Sequence, residues 1–398
     1  MQKTESLLNI KITKSDVNAV YICAAAPFLP YYLTSAVLIA LTLFIIVSGR
    51  IRTHIFRHSG SVFLPAFLVL TLTTGIIYKN LLGCVSSFAF FCIIIIALYL
   101  RTVMRKEIFE KALDIACVAG GICALVCAAE KLINFKSASY RCFGDFFSDI
   151  FTSFYFNPNY LGSLMAAVII ICAYKVILKK GDKKVYYAAA VLCLTAVYFS
   201  GSLFALVEIF IGLSFLLLLT KKHRLLAALL ITAAFGATMV LLVPELLPRL
   251  AEATVTGNNR VMIWSLAIKS IPKSVIFGRG FFGYYVISNA TPGAYITTHA
   301  HNIVIEFLLS FGIVGSGLFI TFFVFFFKRA AILQTYLKRK SMLTLTFAVT
   351  AAVLVHSMVD LTFLWVQTAL LYSVIFAGIG CDEHTFAVIK SKYKKANI

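Results

Sequence analysis

The sequence predicts an all-α, polytopic membrane helix bundle of about twelve transmembrane helices, with a large extracytoplasmic loop before the tenth span. Three observations predict it. The chain is 61% hydrophobic and only 13% charged, with a mean hydropathy of +0.94, whereas soluble domains lie nearer about half apolar and a quarter charged. Apolar runs recur at the roughly 17–25 residues that cross a bilayer. Basic residues gather in alternate connecting segments, the pattern that sets membrane orientation. Such spans must be helical, because lipid cannot satisfy the polar groups of an open backbone.

In order, the predicted spans are 16–31, 33–49, 61–78, 81–100, 108–131, 160–178, 185–201, 203–220, 225–243, 302–327, 341–360 and 362–380. Pro27 and Pro30 fall where the first two meet. No short leader with a small-residue cleavage site opens the sequence, so the first apolar segment is expected to stay in the protein. Basic clusters such as Arg50–Arg57, Arg101–Lys111, Lys175–Lys184, Lys221–Arg224, Lys328–Lys340 and Lys390–Lys395 fall in one set of connections. The other set holds far fewer, among them Lys79, Arg141, Arg249, Arg260, Lys269, Lys273 and Arg279. This bias places both termini in the cytoplasm and segments 132–159 and 244–301 outside the plasma membrane. Loops of that length between packed spans are either functional or disordered; the aromatics, tryptophan and glycines in these two favour order. Without an internal repeat or low-complexity linker, residues 1–398 read as one integral membrane domain.

The formal charge of +20 does not call for a nucleic-acid partner, since topology accounts for where the basic residues sit. The ten cysteines lie mainly in apolar runs, where they act as small buried hydrophobes. They form no CxxC pair or Cys/His metal spacing, so neither disulfides, zinc nor another cofactor is indicated.

Candidate chemistry gathers in the outer segments. Arg141, Arg260 and Arg279 stand where arginine should be depleted, and guanidinium grips a phosphate or diphosphate through two parallel bonds; each could equally be solvated or meet a lipid headgroup. Asn157-Pro158-Asn159 opens a span, as helix cap or as an anion site at a helix N-terminus. Gly257 to Arg260 leads into a short apolar stretch, Val261–Ile271, read as an interfacial helix anchored by Trp264. Phe277-Gly278-Arg279-Gly280 permits a tight turn and a close backbone approach.

The densest cluster is Thr297-Thr298-His299-Ala300-His301-Asn302, at the mouth of the span that carries Glu306. On an extended segment the two histidines share a face. Histidine titrates near neutrality and can take a proton from a hydroxyl. Glu306, about one turn inside, either orients an imidazole or satisfies a backbone group. Glu208, in the middle of another span, is expected to pair with a polar neighbour; charges at that depth are functional candidates by default.

In this order the pieces resemble the O-antigen ligase and polymerase superfamily of membrane glycosyltransferases. The resemblance covers 140–320: Arg141, Gly144 and Asn157–Asn159; Ser200 and Ser202; then Arg260, Trp264, Gly278 and Gly280; and finally His301-Asn302 with Gly312 and Gly315. It implies a polyisoprenyl-diphosphate-linked glycan as donor and a glycan or lipid hydroxyl as acceptor. The transfer would take place outside the cytoplasmic membrane, without a metal and with inversion. Carried over, His301 is the base, with Glu306 or His299 to orient it. Arg260, Arg279 and Arg141 meet the diphosphate, and Asn157, Asn159, Asn302 and Trp264 line the substrate site. Many members carry Ser-Arg at the outer end of a middle span; here Ser202 is followed by Leu203, so one diphosphate ligand is missing from its usual place.

Three other readings stay open. A secondary transporter or glycan flippase also fits twelve spans, and a convergent ionisable cluster around Glu208 would favour it. Polymerases of the cell-wall shape and division class lean on an outer-loop aspartate, which the segment between Val243 and His301 lacks. A catalytically degenerate relative is the third. Ligase and polymerase, which differ in acceptor, are not separated by sequence.

Overall fold

In the computed structural model, which describes residues 11–49, 60–133, 157–178, 183–246, 253–337 and 342–396, every regular element is helical. The helices are α1 (Lys14–Ala25), α2 (Tyr31–Val47), α3 (Phe63–Ile77), α4 (Leu81–Val103), α5 (Lys106–Ile133), α6 (Pro158–Leu178), α7 (Lys183–Ser200), α8 (Leu203–Leu219) and α9 (His223–Leu242). They continue with α10 (Ala253–Ser270), α11 (Gly283–Ala290), α12 (Ile303–Leu337), α13 (Leu343–His356), α14 (Val366–Phe376) and α15 (Gly378–Ala396).

A helix lies over each of the predicted apolar segments. Five are long and apolar enough to cross a membrane by length and composition: α4, α5, α6, α9 and α12. Another four, α2, α3, α8 and α13, are apolar but shorter. The count of about twelve crossings therefore stays an expectation. Pro27 lies in a single 3-10 turn between α1 and α2, which explains the break there: proline has no amide to continue a helix.

Helix α6 is the centre of the bundle, flanked by α7 and α8; α8 packs in turn on α13, while α3 packs on α4 and α12. No residue of α9 is buried, so its apolar surface faces outward, as lipid requires. The predicted large loop is mostly helix. Within it α10, a 3-10 turn (Ile271–Ser274) and α11 lie against the first half of α12.

Gly312 interrupts α12, with φ 63 and ψ −170. In a continuous helix Ile313 and Val314 would donate to the carbonyls of Leu309 and Ser310. Here Ile313 donates to Val275 at 2.8 Å and Val314 to Ile276 at 3.0 Å. The Ser310 carbonyl, freed by the break, accepts the amides of Arg279 at 3.0 Å and Gly280 at 2.8 Å. The segment from Val275 to Gly280 is thus spliced into the kink by exchanged backbone bonds. Only glycine fits there: a Cβ on Gly312 would lie 2.5 Å from the Ile276 carbonyl, and one on Gly278 would lie 2.3 Å from that of Ser310.

Predicted boundaries shift in two places that matter. The segment 341–360 stops being regular helix at His356, which leaves Asp360 in the following turn. Segment 362–380 divides into α14 and the start of α15.

Candidate acid–histidine site

Asn302 starts α12. Its Oδ1 accepts the amides of Val304 at 3.0 Å and Ile305 at 3.2 Å, while its Nδ2 donates to the Met358 carbonyl at 2.9 Å. The amide of Ile303 donates to the Ser357 carbonyl at 2.8 Å. These bonds tie the mouth of α12 to the turn after α13, and that turn carries Asp360.

The residue between the two histidines is gripped from both sides. Glu306 Oε2 accepts the amide of Ala300 at 2.7 Å, and Trp264 Nε1 donates to its carbonyl at 2.9 Å. The other Glu306 oxygen accepts from Ser310 Oγ at 2.5 Å. Of the two roles open to Glu306, the geometry gives it the backbone one. Asp360, not Glu306, stands beside the imidazoles.

His299 Nε2 lies 2.8 Å from Asp360 Oδ1, and its Nδ1 lies 2.9 Å from Thr298 Oγ1. His301 Nδ1 stands 3.3 Å from the same Asp360 oxygen but outside hydrogen-bond geometry, and its Nε2 is 3.4 Å from Thr297 Oγ1. His301 adopts a left-handed backbone, φ 51, which departs from the extended alternation expected. The rings still converge on Asp360, with centroids 4.2 Å apart. His299 is 2% exposed, whereas the His301 side chain is 18% exposed. A molecule arriving from outside therefore meets His301.

Burial pushes the His301 imidazole below its ordinary pKa; His299 and Arg260 act in the same direction, and Asp360 opposes them. Burial alone would raise Asp360, but its contacts with His299 and His301 hold it well below the usual carboxylate range. The site thus pairs a carboxylate with a partly accessible imidazole whose protonated form burial disfavours, the combination a general base needs. The donor atoms of His299, His301 and Asp360 all lie within 4.8 Å of one another, a spacing a divalent cation could also bridge.

The other predicted residues are distributed as follows. Arg260, on α10, sits over the Phe204 ring at 5.7 Å, and its charge reaches His301. Arg279 is turned elsewhere: its Nε donates to Ser274 Oγ at 3.0 Å and its guanidinium lies over Tyr78 at 5.3 Å. Asn157 caps α6 by accepting the Asn159 amide at 2.9 Å, and Asn159 Nδ2 donates to Asp360 Oδ2 at 2.7 Å. Arg141 and Gly144 lie outside the described residues. Sequence reasoning missed Asp360. Its signal was an aspartate at the junction of two apolar segments, where no long loop excuses a charge. Glu208 does find its polar neighbours: His356, Ser163 and Tyr372.

The fold and site define a helical membrane protein with an acid–histidine centre at helix ends. Residues 188–320, about a third of the chain, match the model of the O-Antigen ligase family; over this stretch the chain is similar to that family, which supports a place in the O-antigen ligase superfamily. The match runs from α7 into the first half of α12 and includes Arg260, Trp264, His299, His301 and Glu306. It ends before Asp360. No curated protein matches the chain.

Proposed function

We propose that this protein transfers a glycan from a polyisoprenyl-diphosphate carrier to an acceptor hydroxyl outside the cytoplasmic membrane, as a ligase or a polymerase, with His301 as the base. The carrying observation is the unequal exposure of two imidazoles on one carboxylate. Both nitrogens of His299 are engaged and the ring is sealed in. His301 keeps an accessible edge and a loosely held Nε2.

In the reaction, a small rotation of His301 brings Nδ1–H onto Asp360; catalytic contacts that are long in the free enzyme tighten with substrate. Nε2 takes the acceptor's hydroxyl proton as that oxygen bonds to the anomeric carbon. The bond from that carbon to the diphosphate oxygen breaks, and its electron pair leaves with the carrier. Asp360 stabilises the imidazolium that forms, as carboxylates do in acid–histidine pairs generally. General-base help of this kind is worth about 10²–10⁴-fold.

Arg260 neutralises the leaving diphosphate, with Arg279 and Arg141 kept as further cationic candidates. Charge stabilisation in a partly dry site exceeds that in water. Asn157, Asn159, Asn302 and Trp264 serve the substrate indirectly, by fixing helix ends, Asp360 and Ala300. The membrane would be crossed about twelve times, with both termini cytoplasmic and the site outside. The test is His301→Ala in a cell whose surface glycan is measured. Loss of ligated or polymerised product at normal protein level is expected, and normal product would sink the assignment.

A second reading, transport of a lipid-linked glycan, is favoured by one observation: the buried Glu208–His356 pair inside the bundle. It predicts that His301→Ala still moves the carrier across vesicles while Glu208→Gln does not.

A further inference from the structure

Beneath the acid–histidine site lies a second buried acid and imidazole. Glu208 Oε2 meets His356 Nδ1 at 2.5 Å, and both side chains are 1% exposed. Glu208 Oε1 accepts from Ser163 Oγ at 3.1 Å and from Tyr372 OH at 3.3 Å. Ser163 and Tyr372 also meet each other at 2.9 Å, and Thr362 donates to Ser163 at 3.0 Å. His356 Nε2 is buried with no hydrogen-bond partner among the described residues.

The two layers stand one turn apart along α6 and α8, and across the turn that follows α13. On α6, Asn159 serves the upper layer by donating to Asp360, and Ser163, four residues on, serves the lower by donating to Glu208. On α8, Phe204 lies under Arg260, and Glu208 sits four residues deeper. At the end of α13, His356 belongs to the lower layer and Asp360 to the upper. The two are joined directly, because the Asp360 amide donates to the His356 carbonyl at 3.0 Å. Residues four apart on a helix share a face, so α6 and α8 hold the two layers in line, and the backbone bond after α13 ties Asp360 to His356.

Stability alone does not account for this arrangement. A buried acid–imidazole contact is commonly no more stabilising than apolar residues of similar volume, and this one lies among apolar helices. What it adds is direction, since a hydrogen-bonded imidazole constrains rotation of the last turn of α13 as an aliphatic side chain would not. We propose that Glu208 and His356 are positioning residues for the transfer. Their pair sets the last turn of α13, and so places the Asp360 carboxylate between His299 and His301. This rests on the reading of His301 as the base.

The test uses the full chain in phosphatidylethanolamine–phosphatidylglycerol vesicles, with ¹⁵N-labelled histidine followed by solid-state NMR. The His299 and His301 signals are assigned with His299→Gln and His301→Gln. Surface glycan from a deletion strain carrying each variant gives the second readout. Glu208→Gln, close to isosteric, is expected to displace the His299 and His301 signals and lower product at least tenfold at normal protein level. The apolar pair Glu208→Leu with His356→Leu should show the same loss, whereas a packing role predicts that it restores product. Unmoved signals in Glu208→Gln, or wild-type product from either variant, would overturn the proposal. Should the apolar pair fail to accumulate, Glu208→Gln decides alone. Failure of the base reading is distinct: there His301→Ala keeps normal product, whatever the signals of the Glu208 variant do.

Discussion

His301 Nδ1 stands 3.3 Å from Asp360 Oδ1, the same oxygen that holds His299 Nε2 at 2.8 Å. One carboxylate therefore serves two imidazoles, and only one of these is reachable. His299 holds Asp360 through a direct contact, while His301 stands near the same oxygen without a hydrogen bond to it.

Asp360→Asn tests this relationship most directly. The amide keeps the size of the side chain but removes the charge that would stabilise a His301 imidazolium. Turnover should fall by roughly 10²–10⁴-fold, measured as glycan product at matched protein level. Retention of more than about a tenth of wild-type turnover would be incompatible with a base supported by Asp360.

The pH profile carries a signed prediction. Burial, His299 and Arg260 all lower His301, and Asp360 raises it. The acidic limb of kcat/KM should therefore lie below the ordinary histidine value of about 6.5. Arg260→Gln removes a cation that disfavours protonation, so the limb moves up. Asp360→Asn removes the opposing influence, so the limb moves down. Arg260→Lys keeps the charge and the limb but loses the two-pronged grip on a diphosphate, so KM for the donor rises instead. Limbs that move together in the Arg260→Gln and Asp360→Asn variants would refute this electrostatic picture.

How much of this was legible in sequence depends on the range of each interaction. Hydropathy alone revealed the helices, because each span must bury or lipidate its own backbone. His299, His301 and Glu306 were legible because they lie close together in the chain, at the mouth of one helix. Asp360 was not grouped with them, and Asn159, though named for the same site, was not linked to it, since their contact bridges distant helices and no local pattern records such a pairing. Glu306 was legible with two roles open, and only the structure chooses between them. Its place in sequence suited either an imidazole or a backbone group, and its oxygens serve the Ala300 amide and the Ser310 hydroxyl. Gly312 and Gly278 were visible as a motif, but the backbone exchange that demands them appears only when α12 and the outer loop are seen together.

That exchange makes Gly312→Ala informative. The residue has φ 63, and an added Cβ would lie 2.5 Å from the Ile276 carbonyl. A non-glycine residue forced into a sparsely populated backbone region costs on the order of 1–3 kcal/mol, before the overlap is relieved. The loop that carries Trp264 toward Ala300 should loosen. We expect a lower melting temperature in detergent and a product loss that exceeds the loss of folded protein. Unchanged melting together with unchanged product would show that the splice at Gly312 is dispensable.

Chelation separates two chemistries available to the same three side chains. His299, His301 and Asp360 offer donor atoms within 4.8 Å, so a cation bridging them is a concrete alternative to a proton-accepting imidazole. The hydrogen-bonded reading is favoured by His299, whose two nitrogens already face Thr298 and Asp360. Its Nε2 could bind a cation only by giving up Asp360 as a direct partner. Transfer by purified protein should therefore continue unchanged after exhaustive treatment with a strong chelator. Loss of activity, restored by one divalent cation and abolished in His299→Gln, would instead make this cluster a cation site and remove His301 from the role of base.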